Sequence, residues 1–493
     1  MTKERLGGLD TAFLYAETPG MHMHVCGICV LDPSPRKPEE MFERIRSLLM
    51  GVMANVPLMR KMAAAIPLGM GRPIWVDDVD FDLGRHLHRV EVCAPGDDRA
   101  LAELIGEIAS VPLARDRPLW EVWVVEGLAG GRVGLLAKIH HAGIDGTTAL
   151  NVMSQVFGLQ PTSATSSPPA PAPWRPEASP SPVALFGRGL ATVARTPFDL
   201  MRLVPVTAAR LGAMAWQRGV RQNGRPPASL FRAPRTPFNA TLTAHRSVAF
   251  ADVPLSQVKR IKEAYGVKVN DVIVAIVAGA LRRYLDIRGQ LPLRPLVAAE
   301  PVSVHARSSG PAGISRLSVM FSTLATDEED PAKRLRAIAA ANCRAKETTE
   351  QMGDDTLMRW SEYVWCYGYA VGARLYSTLH LADHHPVAYN LVLSNVPGPP
   401  VTLYLAGARC TGVYPFGPLF EGAGLNVTAI TSDDSIGFGL IACSDLVSDI
   451  WDLADSIPPS FEELLESIDQ PLSRKGRKAP RSSLPEGADS SQG

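Results

Sequence analysis

Between Ala100 and Ser110 apolar residues return every three to four positions, the period of a helix with one buried face, and Asp97-Asp98 just ahead supply capping acids. The period changes to two from Pro118 to Leu128, through Trp120-Glu121-Val122-Trp123-Val124, which predicts a strand turning at Gly130-Gly131. Val133 to Ile139 returns as its antiparallel partner and delivers His140 and His141 at its end. Upstream, the loose alternation from Leu9 to Leu31 predicts a strand over Met21 to Leu31 that ends at Asp32-Pro33; Glu39 to Leu49 has helical spacing, and Trp75 to Leu83 and Val90 to Val92 are extended candidates. Thr147 to Phe157 is again helical, with Thr147 or Asp145 as cap.

The second half repeats the mixture. Leu255 to Tyr265, Val272 to Leu285, Pro331 to Thr349 and Phe461 to Ile468 read as helices, the second capped by Asn270-Asp271. Ser247 to Phe250, Leu296 to Val304, Leu317 to Leu324, Leu391 to Ser394, Leu403 to Ala406, Leu425 to Ile430 and Ile436 to Ile441 read as strands. The predicted class is therefore α/β (α+β), with mixed sheets flanked by helices.

Composition places the boundaries. A chain of 493 residues exceeds one hydrophobic core. Residues 1–158 form a first domain, 159–182 a Pro/Ser/Ala-rich linker that cannot bury enough apolar surface to order itself, 183–235 an arginine-rich connector, and 236–472 a second domain; 473–493 is a tail expected to be disordered. In the connector nine arginines face one acid, Asp199, with Phe186, Leu190, Phe198, Leu203 and Trp216 interspersed. That pattern suits a helix lying at a lipid interface or one packed between its own domains.

Charge and cysteines narrow the class further. Lysine plus arginine and aspartate plus glutamate number 50 each, so no global field draws the molecule to nucleic acid. Seven scattered cysteines fit reduced thiols, and no secretory leader or apolar run of the roughly 18 to 20 residues needed to span a bilayer is visible, which points to the cytoplasm. His22, His24, Cys26 and Cys29 lie close together, but in a strand Cys29 faces away from the other three and no second ligand pair follows, so strand packing is expected and no metal.

The chemistry concentrates in Ile139-His140-His141-Ala142-Gly143-Ile144-Asp145-Gly146. Two glycines permit a tight turn and close backbone approach, and an acid follows His141 by four positions. His384-His385 has neither feature and is read as structural.

His-His-x-x-x-Asp-Gly is the signature of the acyl-CoA-dependent acyltransferase superfamily, and the chain resembles specifically the bacterial wax ester synthase/diacylglycerol acyltransferase family. Supporting matches are Leu9 to Tyr15, Met23-His24-Val25, Pro118-Leu119-Trp120-Glu121, Asn270-Asp271, Pro301 to Val304, Ser394 to Pro399, and Tyr414-Pro415 through Gly417-Pro418 into Leu425 to Thr428. Two departures, Thr431-Ser432 after Thr428 and His305 in place of a common arginine, bear on the acceptor more than on the chemistry.

The resemblance implies two chloramphenicol-acetyltransferase-like domains with a tunnel between them. It implies that His141 takes the proton of an attacking alcohol, a task suited to an imidazole near neutral pH, and that His140 shapes the turn. Asp145 would form a structural salt bridge and Gly146 would leave the tunnel clear. Asn270 is the candidate oxyanion donor, with plain helix capping as the alternative because Asp271 could cap equally well. Pro118, Leu119, Trp120 and Asp271 are the remaining candidate substrate-binding positions. Transfer would be direct, with acyl-CoA as substrate, no resident cofactor, and diacylglycerol or a long-chain alcohol as acceptor at a membrane or lipid-droplet surface. Rival readings are the same chemistry on another hydroxyl or amine, and a lipid-binding protein without catalysis.

Overall fold

The structure is a computed structural model that describes residues 5–33, 37, 40–143, 152–161, 176–177, 179–220, 232–303, 317–352, 360–363, 366–447 and 449–469. In chain order the first half contains α1 (Gly8–Ala16), β1 (His24–Asp32), α2 (Met41–Asn55), β2 (Lys61–Ala64), β3 (Ile74–Asp77), β4 (Leu87–Glu91), α3 (Asp98–Ser110), β5 (Trp120–Glu126), β6 (Val133–His140) and β7 (Phe157–Gly158). A long helix, α4 (Pro182–Val220), leads to β8 (Arg246–Pro254), α5 (Leu255–Tyr265), α6 (Val269–Ile287), β9 (Val297–Ser303), β10 (Leu317–Thr323), α7 (Pro331–Met352) and α8 (Cys366–Thr378). The chain closes with β11 (Leu391–Val396), β12 (Tyr404–Leu405), β13 (Ala408–Phe416), β14 (Leu425–Ser432), β15 (Ser435–Cys443), α9 (Ile450–Ala454) and α10 (Ile457–Asp469).

The alternating stretch that begins at Pro118 makes the expected hairpin: β5 and β6 pair antiparallel, and Gly130 and Gly131 take φ of 73° and 71° between them. Those left-handed values are cheap only for glycine. The first sheet runs β4-β5-β6-β1-β13-β12-β7, with β4 parallel to β5. One face packs on α2 through Ile45, Leu49 and Val124; the other meets α3 through Leu101 and Ile105. Asp97 caps α3, its carboxylate accepting from the Ala100 N–H at 2.9 Å, as the sequence predicts.

The second sheet runs β10-β9-β11-β14-β15-β8, and β11 is parallel to both neighbours. Its core forms around α6, whose residues Val272 to Leu281 are buried on every side against the sheet, α7 and α10. Burial all round explains why α6 reads as a continuous apolar run rather than an amphipathic stripe. α5 and α6 together are long and apolar enough to suggest a span but bend by 104° at their junction; among the described residues no single helix could cross a membrane.

The two halves interlock. β12 and β13 come from residues beyond 400 yet join the first sheet, with β13 against β1, so residues 236–472 do not form a separate sheet system. β13 also lies on the second sheet at a spacing that admits only glycine: a Cβ on Gly439 would sit 1.9 Å from the Pro415 carbonyl oxygen, and one on Gly437 2.4 Å from that of Val413. Likewise Gly106 of α3 lies against the backbone of Arg246 at the start of β8.

Several elements differ from expectation. α1 occupies part of the stretch read as loosely alternating; nine residues form a marginal helix alone, and this one is held by close packing of Gly8 on the backbone of Ser361 and Glu362. α8 and β13 had no clear signal. α6 begins three residues earlier than predicted, which places Asn270 and Asp271 inside its first turn. The extended segment from Trp75 ends at Asp77, because Asp78 accepts from the Asp80 N–H at 3.1 Å and turns the chain, and Asp82 then accepts from the Gly84 N–H. The tail from 473, most of the linker, and all of the predicted helix from Thr147 except 152–157 lie outside the described residues; 152–156 are helical.

Candidate functional site

β6 places the two histidines by its ladder. The His140 N–H donates to the Leu119 carbonyl at 2.9 Å, His140 stands opposite His24 in β1, and the His141 N–H donates to the Met23 carbonyl at 2.8 Å. The chain then turns, with the Gly143 N–H on the His140 carbonyl at 2.8 Å.

His140 is fully buried, and its ring is held from both ends. Nδ1 accepts from the Ala142 N–H at 3.0 Å, which requires the ring proton on Nε2, and Nε2 lies 3.0 Å from Glu17 Oε1. Burial pulls the His140 pKa below its usual value although Glu17 pushes it up, so the ring is neutral at pH 7. Glu17 also accepts from Arg115, with Nε at 3.1 Å, and from the Met23 N–H at 3.4 Å. Burial alone would raise the Glu17 pKa, but His140 and the Arg115 guanidinium outweigh it and hold the carboxyl at about 2. Arg115 is itself anchored by the Leu14 carbonyl at 2.7 Å.

Neither Glu17 nor Arg115 was legible in the sequence. They sit 123 and 25 positions from His140, and only the docking of α1 brings them there. A one-residue N-cap or motif signal does not exist for such a contact; the match over Leu9 to Tyr15 is the nearest pointer. α1 brings one more residue: the Phe13 ring packs on His141 with centroids 4.5 Å apart.

His141 has a different environment from its neighbour. Its Nδ1 is sealed from solvent, and burial, helped by the nearby His140, lowers its pKa to about 4. The imidazole is thus an unprotonated base at neutral pH. Ala142 packs with Leu6, Leu14 and Leu119 behind it.

The other predicted positions divide. Asp145 and Gly146 lie outside the described residues. Pro118, Leu119 and Trp120 are buried: Trp120 stacks on His86 at 4.5 Å and donates Nε1–H to the Met59 carbonyl at 2.8 Å, so its indole belongs to the wall that holds β5 and β6. Asp271, not Asn270, caps α6. Its Oδ2 accepts from the Lys268 N–H at 3.0 Å and its Oδ1 from Asn342 Nδ2 at 2.8 Å. Asn270 is released from capping and lies between two other partners: it donates Nδ2–H to Glu300 Oε2 at 3.4 Å and accepts at Oδ1 from Asn395 Nδ2 at 3.2 Å. Among the described residues no hydrogen bond links this group to the histidine pair.

His22 and His24 are strand and helix-end residues. Both point at the Ala109 carbonyl, His24 at 3.0 Å, and Lys138 Nζ donates to the Ile108 carbonyl at 2.9 Å, so three basic groups converge on the C-terminus of α3, where the helix dipole favours positive charge. Cys29 faces the opposite side of β1 and meets Cys410 of β13. Among the described residues no cluster of three metal-ligating side chains occurs.

Comparison with known proteins gives the same answer along the whole chain. Residues 6–273 match the wax ester synthase/diacylglycerol acyltransferase catalytic domain and 315–465 the C-terminal domain of the same family. A Mycobacterium tuberculosis protein provisionally named a diacylglycerol O-acyltransferase is 40% identical over 470 residues, spanning 95% of this chain and 91% of its own. The solved structure of the wax ester synthase/diacylglycerol acyltransferase from Marinobacter aquaeolei VT8 superposes with a TM-score of 0.65 at 25% identity, covering 94% of this chain and all of that one. The starter condensation domain of rhizomide synthetase, at 13% identity, a TM-score of 0.54 and 95% coverage of both chains, shares the fold. The chain belongs to the wax ester synthase/diacylglycerol acyltransferase family and is an acyltransferase.

Proposed function

We propose that the protein transfers a fatty acyl group from acyl-CoA to diacylglycerol, giving triacylglycerol, and that long-chain alcohols serve as alternative acceptors giving wax esters. The observation that carries the reading is His141: a partly buried imidazole at the end of β6, fixed through its backbone to Met23 just ahead of β1, braced by Phe13 and uncharged at neutral pH. With Nδ1 sealed, Nε2 is the nitrogen that takes the acceptor's hydroxyl proton as the oxygen attacks the thioester carbonyl. The C–S bond then breaks, coenzyme A leaves as the thiol after receiving that proton, and no acyl-enzyme is formed. Asn270 Nδ2–H is the donor for the tetrahedral oxyanion, a role worth about 3 kcal/mol in comparable sites. The protein's own relatives support the acceptor class, through the names they carry.

Long-chain acceptors are dissolved in membranes or droplets, and α4 supplies a surface for them. Val183, Phe186, Leu190, Val193, Phe198, Met201 and Val204 are exposed along one side, while Leu185, Gly189 and Leu203 pack on the body of the protein. Arg188, Arg195 and Arg202, seven apart, flank the apolar side and suit headgroup phosphates. The protein is therefore read as cytoplasmic and peripherally lipid-bound.

The test is release of free thiol from palmitoyl-CoA with diacylglycerol, with hexadecanol, and with no acceptor. We expect acceptor-dependent release that His141→Ala lowers by roughly 10²- to 10⁴-fold. Undiminished release in that variant refutes the base; absence of release with every acceptor favours a lipid-binding protein.

A further inference from the structure

Glu300 is a carboxylic acid in the middle of β9 that neither capping, pairing nor strand structure requires. Only 4% of it is exposed, on the face of the second sheet that carries the core. Its Oε2 receives the Asn270 Nδ2–H, Ser322 of β10 lies within hydrogen-bonding reach of the carboxyl, and its Oε1 is sealed from solvent. A carboxyl buried in a strand is costly whenever it carries charge, so its presence needs a reason.

The surrounding groups define what Glu300 can be. Asn395 of β11 holds the Asn270 side-chain oxygen, which fixes the amide so that its NH₂ end faces Glu300. Ser322 of β10, also beside Glu300, is bonded to Asn342 of α7, and Asn342 donates to Asp271. Asp271 of α6 is the carboxyl that faces Glu300; it accepts from the Lys268 N–H and from Asn342. A neighbouring carboxylate disfavours charge on Glu300.

We propose that Glu300 is the positioning residue for the Asn270 amide in acyl transfer, and that it works as a neutral carboxylic acid. The proposal rests on Asn270 being the oxyanion donor. As an acid, Glu300 accepts one N–H of Asn270 and leaves the other free for the developing oxyanion. As a carboxylate it would grip the amide more strongly and place a negative charge beside the charge that the transition state creates. Burial, with Asp271 adding to it, raises its pKa to about 7, so a large share of the molecules keep this proton near neutrality, where an ordinary glutamate has lost it. Activity should then fall as pH rises through about 7, at the alkaline side of the profile, while His141, with a pKa of about 4, governs the acid side.

The experiment is kcat against pH for the full-length wild-type enzyme, Glu300→Gln, Glu300→Ala and Asn270→Ala, with the melting temperature of each. The wild type is expected to lose kcat above about pH 7. Glu300→Gln, which keeps the shape and cannot ionise, should lose that alkaline decline. Glu300→Ala, which releases the amide, should lose roughly 10- to 100-fold at every pH. An unchanged alkaline decline in Glu300→Gln overturns the proposal, and this variant decides the matter if Glu300→Ala does not fold. Full kcat in Asn270→Ala instead overturns the oxyanion reading on which the proposal stands, whereas an impaired Asn270→Ala beside an unaltered pH profile in Glu300→Gln overturns the proposal alone.

Discussion

Adjacent histidines of identical chemistry acquire different tasks here because their rings meet different partners. His140 has both nitrogens committed, to the Ala142 N–H and to Glu17, whereas the His141 ring packs on Phe13. Glu17 is the hinge of that distinction. Glu17→Ala leaves the His140 Nε2–H and the Arg115 guanidinium without an acceptor in a buried site, a change that costs about 1 to 3 kcal/mol. We expect a lower melting temperature together with a fall in kcat. Acid sensitivity follows from the same residues. His141 titrates near its ordinary value of 6.5 when unfolded and at about 4 when folded, so between those values the unfolded chain binds more protons and stability drops as pH falls. Burial lowers His22, His24, His86 and His140 as well, in the same direction. Glu17 adds a second loss as pH falls from 4.5 towards 2. Melting temperature measured from pH 7 down to 4 should therefore fall steadily; a flat curve would contradict the buried neutral imidazoles.

Elements with strong internal periodicity appear where the sequence places them. α3, the β5–β6 hairpin, α5 and β14–β15 need only their own pattern and local turn chemistry, because alternation or a 3.6-residue repeat decides which face is buried. α1 and β13 do not behave this way. α1 is short and depends on Gly8 meeting the backbone of Ser361 and Glu362, and β13 depends on β1 at the other end of the chain and on two glycines of β15 in the facing sheet. Gly439→Ala tests the second dependence. Its Cβ would fall inside the Pro415 carbonyl, backbone on both sides, so β13 must shift away from β15; a loss of about 1 to 3 kcal/mol is expected. Chemical denaturation would report it as a lower midpoint, and an unchanged midpoint would show that the two sheets can separate without cost.

At the scale of the molecule, the halves are joined by β12–β13, by α3 against β8 and by the long α4, whose outer side is apolar and unpartnered in the described structure. Seven exposed large apolar residues on one helix exceed the scattered hydrophobics of an ordinary surface. Replacing Phe198 and Met201 together by aspartate should leave the fold and the activity on short, water-soluble acceptors intact. Co-sedimentation with anionic liposomes should drop several-fold, since each substitution puts a charge where acyl chains would lie. Equal co-sedimentation of this double variant and the wild type would dismiss α4 as the lipid-contacting surface.

By itself the sequence determined the α/β class, the hairpin that carries His140 and His141, the family to which the chain belongs, and the pairing of Asn270 with Asp271 at a helix start. These are local quantities: period, turn residues and a contiguous motif are written in neighbouring positions. Only the tertiary structure decided that Asp271 caps α6 and frees Asn270, that Glu17 and Arg115 hold His140, that Glu300 lies under Asn270, and that β13 crosses into the first sheet. The cap itself is a three-residue contact that left two candidates open until Asn270 met Glu300 and Asn395; the other features depend on residues 25 to nearly 400 positions apart, and burial, which sets both the low pKa of His141 and the high one of Glu300, exists only once those residues have packed.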